Sequence, residues 1–346
     1  MIPGIRILLL ALLCLSVSVS YAQTPDAGDI SPEELIGQRP AGQDKPVEVT
    51  VRLHIFDIFS VDDVQQNFKA DLFALVTWLD PRLAMPAGQR RGQTRTLDLD
   101  AIWTPRVLVV NSRGLDFQLP RVADVDDFGN VRVQQRLSGA IASSFQLQEF
   151  PFDSQILSID IVSYRYSPDE VAFTIVSEVT GGPEDFNAKG WKFRLLEPVI
   201  DVFTVPSVGA ERSLLQFRIE GQRISKYFLL TMFLPMSLIV FMAWAAFWIQ
   251  PELVPPRIGI STASIFSLIA FGFSIRLGLP QVSYLTRADI FVLGCTMLVF
   301  AALAVAVMGS RWANSERQAQ AVSLNTYARW IYVFSFGAVV LLALYI

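Results

Sequence analysis

The chain has 346 residues, 52% of them hydrophobic and only 17% charged, with a net charge of −4. That balance fits a membrane protein with a sizeable soluble part, and the mild acidity argues against a nucleic-acid partner. A single histidine, His54, and the absence of a P-loop, GxGxxG, internal repeat or metal-ligand cluster remove most zinc sites, Ser-His-Asp triads and Cys-His dyads, so neither a cofactor nor an enzymatic activity is expected.

Residues 1–22 read as a signal peptide. Arg6 supplies the positive start, Ile7 to Val19 the apolar core, and Ser20-Tyr21-Ala22 a small-residue cleavage site before Gln23. An uncleaved anchor helix is the alternative, disfavoured by the shortness of the run. Cys14 lies in this segment, so the mature chain keeps Cys295 alone and no disulfide framework forms. Residues 23–46, rich in Pro, Gly, Asp and Gln, read as a linker. Ser31-Pro32-Glu33-Glu34 within it has the form of a capping box, and Gly37 ends the short helix.

From 47 to 222 the pattern is strands. Val47, Val49, Val51, Leu53 and Ile55 alternate with Glu48, Thr50, Arg52 and His54, the period-two signature of a half-buried strand. Further runs are Leu72–Leu79, Arg106–Val110, Val131–Leu137, Ile156–Tyr164, Val171–Val176, Trp191–Leu196 and Leu214–Ile219. Turn signals at Asp80-Pro81, Arg113-Gly114, Phe128-Gly129-Asn130 and Gly181-Gly182-Pro183 separate them. Many short strands at this spacing predict an antiparallel, all-β sandwich. Asp124, Asp126 and Asp127 are calcium candidates, although a solvated turn with Gly129-Asn130 is the simpler reading. His54 is the one group that would titrate near neutral pH, and its place on the polar face reads as solvated.

After Arg223 four apolar runs follow: Tyr227–Trp248, Ile258–Leu279, Ile290–Met308 and Tyr327–Ile346. About 20 residues at about 1.5 Å each span a hydrocarbon core about 30 Å thick. Four spans after a cleaved signal place both termini outside, with the Gln250–Arg257 turn and the Gly309–Asn325 loop inside. Arg257, Arg311 and Arg317 lie inside and Arg276 and Arg287 outside, so the positive-inside bias is weak.

Phe150-Pro151-Phe152-Asp153, in a strand-rich domain ahead of four spans, resembles the signature loop of Cys-loop receptors. Ser143 and Leu157 occupy the places of the two bracketing cysteines, as in the prokaryotic branch of pentameric ligand-gated ion channels. Phe59-Ser60-Val61-Asp62-Asp63 resembles the first hairpin tip, and Ala101-Ile102-Trp103-Thr104-Pro105 the segment before the first ligand loop. Leu234-Pro235 with Trp244–Trp248 is similar to the first span, and Gly278–Tyr284 to the linker leaving the pore helix. The resemblance covers nearly the whole mature chain. It implies an immunoglobulin-like extracellular sandwich on an all-α four-helix transmembrane domain, assembled as a homopentamer around a central pore.

What the resemblance implies for residues is specific. The second span would line the pore with Gly259, Ala263, Phe266, Ala270 and Phe273, with Leu277 at the outer mouth. Ser261, Ser264, Ser267 and Ser274 form a rival, more polar stripe. Rings of Phe266 and Phe273 would gate by dewetting, or else pack between helices. Pro255-Pro256-Arg257-Ile258-Gly259 and Arg276 are similar to anion-selective receptors, whereas Glu252 could form an acidic ring that favours cations. Tyr164 matches a key pocket aromatic, with Tyr166 nearby and Phe203 opening a capping loop. Val110 and Arg212 stand where aromatics are common, which argues against an amine held by cation–π contact. Trp103 reads as core. Asp63, Asp153 and Arg223, with Phe150, Pro151, Phe152, Pro280 and Tyr284, would couple the sandwich to the pore through charge-assisted bonds.

The implied partners are four identical subunits, membrane lipid, a small-molecule or ionic agonist (a proton or calcium included) and permeant inorganic ions. The implied location is the bacterial inner membrane, multi-pass, with the N-terminal domain and C-terminus on the periplasmic side. An anion channel, a cation channel of the same family and a non-conducting membrane receptor remain open.

Overall fold

The structure, a computed structural model, describes residues 36, 38–40, 45–175, 182, 186–276, 282–315 and 317–345, with residue 276 by its backbone. The signal peptide, the linker capping box, the Gly181-Gly182-Pro183 turn apart from Gly182, Leu277 and Pro280 lie outside the described residues.

Twelve strands form two sheets. The larger runs in the order β3 (Arg95–Asp98), β6 (Val122–Val125), β7 (Asn130–Ala142), β2 (Asn67–Leu79), β1 (Val47–Asp62), β9 (Val171–Thr174), with β5 (Ser112–Phe117) also on β7. The smaller runs β10 (Trp191–Leu195), β12 (Glu211–Arg223), β8 (Ser154–Ser163), β4 (Val107–Val109), with β11 (Val199–Thr204) also on β12. Pairing is antiparallel except β1 with β9. Val47, Val49, Val51, Leu53 and Ile55 are all buried. They pack with Phe68 and Leu72 of the neighbouring β2 and with Ile159, Phe217 and Ile219 of the facing sheet, as period-two alternation demands.

Two departures from the sequence reading have local causes. Arg113-Gly114 is not a turn between elements but lies inside β5, where the register with β7 slips between Ser112 and Leu115. A Cβ on Gly139 would stand 2.0 Å from the Gly114 carbonyl oxygen, so the bulge rests on a backbone approach that only glycine permits. Strands β3, β5, β6 and β11 were not expected, because each is short and alternates weakly.

Among the described residues four helices long and apolar enough to cross a membrane follow: α1 (Lys226–Trp248), α2 (Val254–Ile275, its helical backbone ending at Arg276), α3 (Arg287–Ala313) and α4 (Gln318–Tyr345). Leu229–Phe233 in α1 winds as a π-helical turn just ahead of Pro235, which has no N–H for the helical ladder. α2 begins earlier than the apolar pattern, with Pro255 and Pro256 inside its first turn, where missing N–H groups cost nothing. The expected Gly309–Asn325 loop is largely helix, and residues 314–317 alone connect α3 to α4. Arg311, Gln318 and Gln320 are polar but good helix formers, so loss of hydrophobicity did not mark a helix end. α3 opens with a capping box in which Thr286 and Asp289 bond reciprocally.

Candidate functional site

Where the sandwich meets the helices, Arg223 at the end of β12 is the centre of a closed charge cluster. Its Nε and Nη2 donate to Asp153 Oδ1 and Oδ2 at 2.7 and 3.1 Å. Its Nη1 and Nη2 donate to Asp63 Oδ2 and Oδ1, both at 2.8 Å. The side chains of Arg223, Asp153 and Asp63 are 5, 2 and 18% exposed. One guanidinium thus serves two carboxylates in fork geometry, the arrangement for which Arg is suited and Lys is not. Burial lowers the Arg223 pKa, but the bonds from Asp63 and Asp153 outweigh it and hold the group above its ordinary value.

Aromatic rings finish the enclosure. The guanidinium carbon sits 4.1 Å from the Trp191 ring centroid and 4.8 Å from that of Phe150. Trp191 stands opposite Arg223 in the β10–β12 ladder. Phe150 meets Phe228 of α1 edge to face at 4.9 Å, and Phe152 approaches Phe233 at 6.1 Å. The same loop grips α3. Arg287 N donates to Gln148 O, Ala288 N to Phe150 O, and Arg287 Nη2 to Glu149 Oε1 at 2.9 Å. Tyr284 Oη accepts from Leu147 N at 3.0 Å. The structure therefore brings Asp63, Phe150, Phe152, Asp153, Arg223 and Tyr284 together, with Pro151 buried in the same loop. Trp191, Phe228, Gln155, Glu149 and Arg287 were missed, because aromatics and charges in strands and caps carry no distinguishing spacing.

A second group forms near the end of the β11–β12 hairpin. Arg212 Nε donates to the Tyr164 carbonyl at 2.9 Å, and Phe203 stands opposite Arg212 in the ladder. Tyr164 is half exposed. Glu170 accepts from both Ser167 N and Ser167 Oγ. The backbone bond from Ser167 is the largest influence on it and, with the hydroxyl and the charges of Arg39 and Arg212, holds this carboxyl below its usual value against partial burial. Tyr166 departs from the expected ligand set: it is buried, and its hydroxyl accepts from Trp103 Nε1 at 2.8 Å, which makes both core residues. Val110 bonds through its N–H to Asp160. Leu108, not Val110, lines with Tyr164 a cavity of about 420 Å³ between the sheets.

Among the described residues no three acidic, His or Cys side chains converge on a metal site, and the calcium candidates Asp124, Asp126 and Asp127 are engaged in local bonds. Asp126 caps Phe128 and Asn130, Asp127 binds the Arg91 and Gly92 N–H groups, and Asp124 accepts from Thr96. Burial raises Asp126, but its bonds to Asn130 and Phe128 dominate and lower its pKa.

On α2, Gly259, Ala263, Phe266, Ala270 and Phe273 are all exposed, Phe266 and Phe273 at 69 and 70%. At about 100° per residue they fall within an arc of about 80°. Ser261, Ser264 and Leu268, on the opposite side, are buried inside the bundle, so the rival serine stripe is split: only Ser267 and Ser274 reach the surface, on a flank. Arg257 also lies on the buried side and is 0% exposed, its Nη2 donating to Asn325 Oδ1 of α4 at 2.7 Å. Arg257, expected to contribute charge near the inner mouth, therefore has its side chain inside the bundle. Glu252 is exposed, accepting from Gln318 Nε2, and Pro255 and Pro256 are exposed beside it.

Two family profiles match in this order. The neurotransmitter-gated ion-channel ligand binding domain covers residues 36–193, and the neurotransmitter-gated ion-channel transmembrane region covers residues 232–333. The chain belongs to the neurotransmitter-gated ion-channel family. A curated relative, the proton-gated ion channel of Gloeobacter violaceus, is 25% identical over 317 residues, covering 90% of this chain and 85% of that protein. In the terms of this pentameric, non-enzymatic family, the chain is a multi-pass membrane protein with a β-sandwich ligand-binding domain ahead of its four helices, without a bridging disulfide in its signature loop. Phe150–Asp153 lies within the matched ligand binding domain, and Arg223 lies between the two matched regions.

Proposed function

We propose that this chain is one subunit of a prokaryotic homopentameric ligand-gated ion channel in the inner membrane, its sandwich and C-terminus on the periplasmic side. The single observation that carries this reading is the bare face of α2. Phe266 and Phe273 stand on it with the small residues Gly259, Ala263 and Ala270, all exposed within the subunit, whereas the side of α2 carrying Ser261, Ser264 and Leu268 is buried in the bundle. Five subunits related by a central axis would bring those faces together as a pore. Rings of phenylalanine there would narrow and dewet it, with Gly259, Ala263 and Ala270 leaving width between and below them.

In this reading agonist acts at the face carrying Tyr164, Arg212 and Phe203, and the Arg223 cluster passes the displacement to α1 and α3. The half-buried cation at Arg212 favours an acidic or neutral ligand over an amine. Protons are the second candidate agonist, by likeness to the proton-gated relative. Anion permeation is supported by the Pro255-Pro256 entry, where α2 N-termini direct their positive ends at the inner mouth. Cation permeation is the second reading, favoured by an exposed Glu252 and a buried Arg257. Currents from oocytes under a sodium chloride gradient, with steps of pH and a screen of acids and amines, test the proposal. Reversal near the chloride potential supports the first reading and near the sodium potential the second. Surface pentamers silent in both wild type and Phe266→Ala identify a non-conducting receptor.

A further inference from the structure

Behind the pore face, at the end of the bundle remote from the sandwich, α2, α3 and α4 enclose a cluster of donors without acceptors. Arg257 is 0% exposed and Ser261 0%, Ser310 and Asn325 4% each. A guanidinium offers five N–H groups. One Nη2 bond goes to Asn325 Oδ1, while Nε and Nη1 have no hydrogen-bond partner, and neither do the hydroxyls of Ser261 and Ser310. Asn325 is fixed in this orientation by its Nδ2, which donates to Phe247 O. Arg329 Nε donates to that same carbonyl at 2.9 Å, so a second cation flanks the cluster. Among the described residues neither arginine makes an ion pair with a carboxylate; Glu252 acts on Arg257 only from a distance, being exposed and engaged with Gln318. Gly309 of α3 lies against the guanidinium, since a Cβ there would stand in ordinary contact, 3.4 Å from Arg257 Nη1, and Ser310 is the next residue.

Water would satisfy donors but leave the charge. A buried cation lacking a counter-charge is strongly unfavourable, whereas one acceptor carrying negative charge answers both demands. We propose that this cluster is an intrasubunit binding site for one small inorganic anion of halide size, held by Arg257 Nε and Nη1 with the Ser261 and Ser310 hydroxyls. The enclosure by three helices excludes a lipid phosphate, which would instead meet Arg329 beside exposed Trp248, whose ring lies 4.6 Å from that guanidinium. The site lies on the far side of α2 from Phe266, so its occupancy is independent of which ion the channel conducts.

The test uses the purified full chain in neutral detergent, with thermal unfolding in sodium chloride, sodium bromide and sodium gluconate at matched ionic strength. The expected result is a saturable rise in Tm with chloride or bromide but not gluconate, lost in Arg257→Gln and moved several-fold to higher halide concentration in Ser310→Ala. Equal Tm in all three salts, or a halide effect that survives Arg257→Gln, overturns it. Should Arg257→Gln not fold, crystals grown in bromide decide. Anomalous density within hydrogen-bond reach of Arg257 Nε and Nη1 supports the site. Density on Arg329 alone, a lipid phosphate, or water at Arg257 overturns it.

Discussion

Arg223 and Asp153, seventy positions apart in the chain, share two side-chain hydrogen bonds, Nε to Oδ1 at 2.7 Å and Nη2 to Oδ2 at 3.1 Å, and a third between Arg223 N and Asp153 O at 3.1 Å. The last strand of the sandwich is thereby clamped to the signature loop by backbone and side chain together. Gln155 Nε2 adds a bond to Asp153 Oδ2, so all the Asp153 oxygen capacity that faces inward is engaged.

The three members of the cluster differ in burial, and their substitutions separate accordingly. Asp153→Asn leaves Arg223 half-paired in a dry site and is expected to cost about 3–5 kcal/mol. Asp63→Asn, nearer solvent, is expected to cost about 1–2 kcal/mol. Arg223→Lys keeps the charge but loses the fork and is expected to abolish gating at normal surface expression. Surface labelling with agonist-evoked current checks the set, and wild-type currents from Arg223→Lys remove the coupling role.

Phe266→Ala is expected to raise resting leak or agonist sensitivity. Cysteine scanning supplies the control. Ala263→Cys and Phe266→Cys should react with a charged thiol reagent when agonist is present, while Leu268→Cys, buried within the subunit, should not. The background is low, since Cys295 is itself buried. Faster modification at 268 than at 266 would falsify the pore-face assignment.

Removing the Tyr166 hydroxyl tests whether that tyrosine belongs to the fold or to the ligand site. Tyr166→Phe strands the buried Trp103 Nε1–H and should cost about 1–3 kcal/mol with no change in agonist half-maximal concentration. Tyr164→Ala and Arg212→Ala should shift that concentration and leave stability within about 1 kcal/mol. The reverse pattern exchanges the two roles.

Glu170 gives a pH signature. Its folded pKa lies below the ordinary carboxylate value, so its contribution to stability is fully present above the unfolded value and is lost as pH falls through the folded one. Between pH 7 and pH 4 the Tm of wild type should drop more than that of Glu170→Gln. Parallel slopes would show that the Ser167 bonds contribute nothing.

Much of this was legible in the residues, and unevenly so. Period-two alternation located β1 and its core face outright, and hydropathy located the four helices. FPFD, Asp63 and Arg223 were identified through resemblance, and the structure joins them. What failed had physical reasons. β5 hides a bulge that reads as Arg-Gly turn chemistry. The direction of Arg257 was invisible because α2 is apolar all round apart from its serines, leaving helical periodicity without contrast. Tyr166, unlike exposed Tyr164, is buried where it accepts from Trp103, a pairing between residues 63 apart that no local pattern announces.

β1 has one end beside β9 and the other at the Arg223 cluster, sixteen residues away. A straight strand of that length is about 53 Å of nearly inextensible rod. This one is not straight: its register against β2 breaks between Ile55 and Asp57 and again between Ile58 and Ser60. Those two offsets act as flexure joints in a push-rod. A displacement entering at Val47 would be turned partly into twist at those offsets before it reached Asp63.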